Sequence, residues 1–227
     1  MENFDPIAWA KVNKKKFAQD FVEKSHLTDD DKYSAFIMAG LPGSGKTETT
    51  KGLLRHFELN MVRIDMDEIA SQIPTYQPEN ADQFRKSATL LMDNIFDLVL
   101  ENRFNFILDG TFGSPRAINN IERALKRGYS VKIIYVYQDP KTAWEYTLAR
   151  EKVEHRAIKF DGFLNSYFKI HHNLHGLPKH PRISLDFIGK NPQNEVTKWK
   201  QNATITTIDK YVNHYYNKEE LESYIKG

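Results

Sequence analysis

An apolar run, S-A-F-I-M-A at residues 34–39, stops at a glycine, and the chain continues G-L-P-G-S-G-K-T over residues 40–47. This is the phosphate-binding loop pattern G-x-x-x-x-G-K-[ST]. No other segment restricts the fold so strongly, because the loop works only between a buried strand and the first turn of a helix. The flanks comply: the preceding run is continuously apolar, and Leu53, Leu54 and Phe57 recur at helical spacing after it. Gly40, Gly43 and Gly45 carry no Cβ, so the backbone can curl and turn its N–H groups inward. Leu41, Pro42 and Ser44 complete the curl, and Glu48 follows it. The helix adds the positive end of its dipole. Lys46 reaches the β- and γ-phosphates, and the Thr47 hydroxyl ligates magnesium. ATP or GTP with Mg2+ is the expected ligand.

Around the loop, strands and helices alternate. Helices are expected over residues 7–24, 47–57, 82–101, 114–126 and 140–153, and strands over 34–39, 61–64, 104–108, 131–137 and 183–188. Residues 204–208, T-I-T-T-I, read as a further strand. In the first helix, Ile7, Val12, Phe17, Phe21 and Val22 form the expected buried face. Ser114-Pro115 and Asp139-Pro140 read as helix starts, and residues 217–220 as a capping box. The alternation predicts an α/β fold of the P-loop NTPase type: a three-layer sandwich with a mostly parallel central sheet and helices on both faces. A single P-loop domain over residues 1–227 is expected, with an amino-terminal helix within 1–30 and a lid over about 150–180.

Composition removes several alternatives. The 227 residues contain no cysteine, which excludes disulfides, thiolate metal sites and cysteine nucleophiles. The net charge of +2 provides no whole-chain footprint for a polyanion, so a nucleic-acid partner is not expected. A mean hydropathy of −0.61 and the lack of a long apolar stretch point away from membranes and towards the cytoplasm. His171 and His175 are one helical turn apart, with His172 and His180 nearby, but they lack the metalloprotease order and read as surface or lid histidines.

In such a sheet, ligands bind beyond the carboxyl ends of the strands. Asp65 and Asp67 follow the second strand, and Asp109 and Thr111 follow the third. Asp67 is the candidate base for an acceptor hydroxyl; the competing reading is a helix cap. Asp109 would support magnesium or bind the acceptor. Arg150 and Arg156 are candidates to stabilise charge on the transferring phosphoryl group, the competing reading being a pair between Arg150 and Glu145 or Glu154.

Together these residues resemble the zeta-toxin family of bacterial kinases. The resemblance rests on P-G-S-G-K-T at 42–47, I-D-M-D at 64–67, I-L-D-G-T at 107–111, and the two arginines. It implies transfer of the ATP γ-phosphate to the 3′-hydroxyl of UDP-N-acetylglucosamine, and a protein antitoxin as partner. It also implies Lys46, Asp67, Arg150 and Arg156 as the catalytic set, with Asp93, Asp109 and Thr111 binding the substrate. The family usually carries glutamate where this chain has Asp93 and Asp109, each one methylene shorter. Two other classes share the loop. One is a different small-molecule or nucleic-acid-end kinase, for which residues 11–16 and Trp199-Lys200 would supply basic and stacking groups. The other is an ATP-driven switch, in which Asp67 would position water.

Overall fold

The apolar runs assemble into one sheet. A computed structural model describes residues 4–23, 33–56, 61–155, 157–212 and 214–227. Strands β1 (Ser34–Ala39), β2 (Val62–Asp65), β3 (Phe106–Asp109), β4 (Ser130–Tyr137) and β5 (Ile183–Lys190) pair in parallel, in the order β2-β3-β1-β4-β5. β6 (Val196–Lys200) adds an antiparallel edge to β5. Helices α1 (Pro6–Glu23), α2 (Lys46–His56), α3 (Met66–Ser71), α4 (Ala81–Asn102), α5 (Ala117–Lys126), α6 (Pro140–Glu154), α7 (Phe160–His175), α8 (Ile205–Tyr211) and α9 (Lys218–Lys226) accompany the strands.

Alternation along each strand sends side chains to opposite faces. One set, including Ile37, Ile64, Phe106 and Ile133, joins the larger core with residues of α4, α5 and α7. The other set, Met38, Ile107, Ile134, Val136 and Ile188, packs with Leu53 and Leu54 of α2. Helices therefore cover both faces, and the chain has the α/β P-loop NTPase fold. β1 leads on towards β2 at one side of the sheet and its neighbour β3 leads on to β4 at the other, so the two connections diverge and open a crevice at the carboxyl ends of β1 and β3.

Local signals explain most boundaries. The Asp139 side chain caps α6 by accepting from Lys141 N and Thr142 N at 3.0 and 3.2 Å. Asn217 and Glu220 form the reciprocal capping box of α9. Three expectations differ from what is observed. Residues 204–208 open helix α8 instead of forming a strand: the Thr204 side chain accepts from Thr207 N, and Ile208 is buried one turn in. That capping bond outweighs the β preference of Thr and Ile. α5 starts at Ala117, because Ser114 Oγ accepts from Arg116 N within a preceding turn. Val12 is 84% exposed, since α1 buries Ala10, Ala18, Phe21 and Val22 and Val12 lies about 200° round from Ala10. Phe57 falls outside the described residues.

Candidate active site

The loop between β1 and α2 is built as its glycines require. Gly40, Gly43 and Gly45 have φ of 147°, 77° and 77°. At Gly43 a Cβ would come 2.1 Å from the Ala143 carbonyl oxygen of α6, so even alanine has no room. Gly40 N donates to the Thr111 carbonyl at 3.1 Å, which joins the loop to the segment after β3. Lys46 is 9% exposed, and its ammonium donates to the Leu41 carbonyl at 2.6 Å. Burial lowers its pKa from 10.5 to about 8, against the favourable charge of Asp109. The buried Ser44 Oγ has no hydrogen-bond partner. A glycine-lined curl, an under-compensated ammonium and an orphaned hydroxyl are the features an anion would satisfy, and a polyphosphate fits them.

Among the described residues, no group of three or more His, Asp or Glu side chains is arranged as a metal cage. Magnesium bound to a triphosphate needs none, because phosphates and waters supply most of its oxygens. Thr47, in the first turn of α2, fits that smaller role.

Beside the loop, β2 and β3 place Asp65 directly opposite Asp109. Arg63, two residues before Asp65 and on the same face of β2, ties both together. Its Nη2 bonds Asp65 and, at 2.7 Å, Asp109 Oδ2; its Nε reaches the same Oδ2 at 3.0 Å. Its Nη1 bonds Glu68 at 2.9 Å. Asp65 also caps α3, accepting from Asp67 N at 2.8 Å and Glu68 N at 3.5 Å. Burial raises the Asp65 pKa, opposed chiefly by Arg63. The helix-cap role belongs to Asp65, and Asp67 stands in the first turn of the helix so capped.

The other candidates surround this centre. Asp93, on α4, forms an ion pair with Arg116 just before α5. Thr111 Oγ1 accepts from Gly113 N at 3.2 Å, and Asn173 of α7 donates to Phe112 O at 2.7 Å, tying α7 to this segment. Arg150 bonds Glu154 one turn on, with Nη2–Oε2 at 2.9 Å, so the helix-turn pair is formed. Arg150 is also close enough to Lys46 for their charges to repel. Arg156 lies outside the described residues. Residues 150–180 include the end of α6 and all of α7, and Trp144 of α6 packs edge-on against Phe160 and Phe163 of α7 at 5.0 and 5.1 Å.

The zeta toxin family profile matches residues 19–204. This chain belongs to the zeta toxin family. Toxin PezT of Streptococcus pneumoniae serotype 4 (strain ATCC BAA-334 / TIGR4) is 24% identical over 124 residues, covering 51% of this chain and 49% of PezT. The chain thus matches about half the length of that relative. Among solved structures, the PezAT chromosomal toxin–antitoxin system of Streptococcus pneumoniae superposes with a TM-score of 0.69 at 15% identity, covering 100% of this chain and 96% of that one. The AvrRxo1-ORF1:-ORF2 structure with ATP gives a TM-score of 0.60 at 10% identity, over 92% of this chain and 69% of that one.

Within this zeta toxin fold, two features escaped sequence reasoning. Arg63 reads as a polar interruption in a short apolar strand, and its partners are 2, 5 and 46 residues away. Lys190, at the end of β5, donates to Gly45 O at 3.1 Å and to Asn194 Oδ1 at 3.0 Å. Burial lowers its pKa. No local pattern announced a second lysine on the phosphate loop.

Proposed function

We propose that this protein transfers the γ-phosphoryl group of ATP to a hydroxyl of a sugar nucleotide, the 3′-hydroxyl of UDP-N-acetylglucosamine, as a zeta-type toxin. The observation that carries the reading is the joint between loop and acceptor segment. Gly40 N bonds Thr111 O, while Asp109, two residues earlier, is the strongest favourable charge on Lys46. In this reading donor cradle and acceptor wall are neighbours at one end of the sheet.

In this reading Lys46 and the loop N–H groups hold the triphosphate, and Thr47 would help hold a magnesium ion that would offset its charge. Asp67, at the positive end of α3, accepts the acceptor proton as the hydroxyl oxygen attacks phosphorus and the bond to the β-phosphate oxygen breaks. Arg150 and Arg156 stabilise the negative charge that develops on the equatorial oxygens. Arg150 exchanges its Glu154 partner for phosphate, an inexpensive step for a half-exposed pair. Asp93, Asp109 and Thr111 orient the acceptor. The two aspartates reach less far than glutamates, so the acceptor must sit closer to α4 and β3.

The similarity to the PezAT and AvrRxo1-ORF1:-ORF2 structures supports a protein antitoxin as partner. No helix among the described residues is long and apolar enough to cross a membrane.

A phosphoryl-transfer screen with labelled ATP tests the reading, offering UDP-sugars, free sugars, nucleosides and oligonucleotide ends. Labelled UDP-N-acetylglucosamine is the expected product. Labelled oligonucleotide would replace it with an end-kinase, for which the 54%-exposed Trp199 between two lysines would be the stacking surface. Phosphate release without any labelled acceptor would indicate an ATPase.

A further inference from the structure

We propose that Arg63 is a positioning residue for phosphoryl transfer, holding the helix that carries Asp67 at a set separation from the Asp109 carboxylate. The inference rests on the kinase reading above and assigns a function to a side chain that reading leaves idle.

The pleat puts Arg63 and Asp65 on one face of β2, and the parallel register puts Asp109 beside Asp65 on that face. Two carboxylates so placed repel each other. One guanidinium offsets this by serving Asp65, Glu68 and Asp109 together. These partners come from the end of β2, the first turn of α3 and the end of β3. Asp65 and Glu68 flank Asp67 in sequence, and Asp65 also accepts from the Asp67 N–H. Arg63 therefore holds α3 at two points beside the proposed base and holds the proposed acceptor-binding acid at a third. The planar fork fixes directions as well as distances, which an ammonium cannot do.

Fold stability alone gives little reason for such a cluster. The Asp109 side chain is 3% exposed and that of Arg63 21%, and ion groups buried to this degree seldom stabilise more than apolar side chains would. The site gives a reason. A triphosphate brings several negative charges to Lys46, next to Asp109. That charge repels carboxylates beside it, and a fixed cation bonded to both holds them in place.

The test is a kinetic comparison of wild type, R63K, R63Q, D109N and R63K/D109N, each checked for folding by circular dichroism. With labelled ATP and the best acceptor from the screen, R63K should lower kcat about 10- to 100-fold, as expected for displaced reacting groups, with ATP Kd within about 3-fold. R63K/D109N should lose less than the product of its two parents' losses, because the Arg63–Asp109 bond is shared between them. A folded R63K with wild-type kcat and acceptor KM overturns the proposal while leaving the kinase reading intact. So does a loss confined to melting temperature. If R63Q fails to fold, R63K and D109N still decide it. A wild-type protein that labels no hydroxyl acceptor overturns the kinase reading, and this proposal with it.

Discussion

The Lys46 ammonium donates a 2.6 Å hydrogen bond to the carbonyl oxygen of Leu41, five residues back along the same loop. The lysine that should meet phosphate oxygens is thus folded onto its own backbone, buried and short of countercharge. Its pKa of about 8 gives the first prediction. Bound phosphates favour the charged form, so ATP affinity should be flat below pH 8 and fall above it. Binding should take up as much as one proton. Calorimetry in buffers of differing ionisation enthalpy measures this uptake.

The same burial costs stability without ligand. The unfolded lysine titrates near 10.5 and the folded one near 8, so the nucleotide-free protein gains stability as pH rises through that window. K46M should remove the penalty, stabilising the free protein below pH 8 by up to about 3 kcal/mol while abolishing the ATP-dependent rise in Tm. Leu41 O keeps a donor in Ser44 N, so the substitution orphans nothing there. Thermal melts of both proteins at pH 7 and pH 10 should show the gap closing.

Asp67→Ala should lower kcat by about 100-fold or more and leave ATP Kd nearly unchanged, because a base acts only in the transition state. A D67A protein transferring phosphate at the wild-type rate would remove Asp67 from the mechanism.

Arg150 and Glu154 form a half-exposed pair one helical turn apart, whose loss costs about 0.5 kcal/mol or less. E154A should therefore melt normally and, by releasing Arg150, lower the KM for ATP. R150A should also melt normally but lose about 100-fold in kcat. Identical kinetics in the two variants would show that the pair is only a surface contact.

Gly43→Ala puts a methyl group against the Ala143 carbonyl at a φ of 77°. The backbone strain alone costs about 1–2 kcal/mol, and relieving the clash must move α6 or the loop. Lower Tm and no nucleotide-induced stabilisation are expected. The buried Tyr129 hydroxyl, which donates to Val99 O and Phe104 O, provides the contrast. Y129F should cost about 1–2 kcal/mol in stability and leave ATP binding alone.

How much of this was legible in the chain depended on how local each cause was. The loop, its strand and its helix are encoded within a few neighbouring residues, as are the Asp139 cap and the Asn217 box. The acidic positions after β2 and β3 were readable because the fold type dictates where strand ends gather. Arg63 was not, since its meaning comes from pairing β2 with β3, across 46 residues to Asp109. β6 was missed because all its residues are exposed, leaving no alternation to detect. Residues 204–208 show a local cause misread: β-branched side chains suggested a strand, but one threonine hydroxyl at the right backbone angle starts a helix.

The bond from Gly40 N to Thr111 O has a thermodynamic corollary. That bond ties the nucleotide loop to the segment that the proposed function gives to the acceptor. Whatever factor ATP imposes on the acceptor's affinity, the acceptor must impose on ATP's. The order in which the two ligands arrive then alters the route to the ternary complex but not its free energy, and wherever that factor differs from one an inhibitor of either site is felt at both.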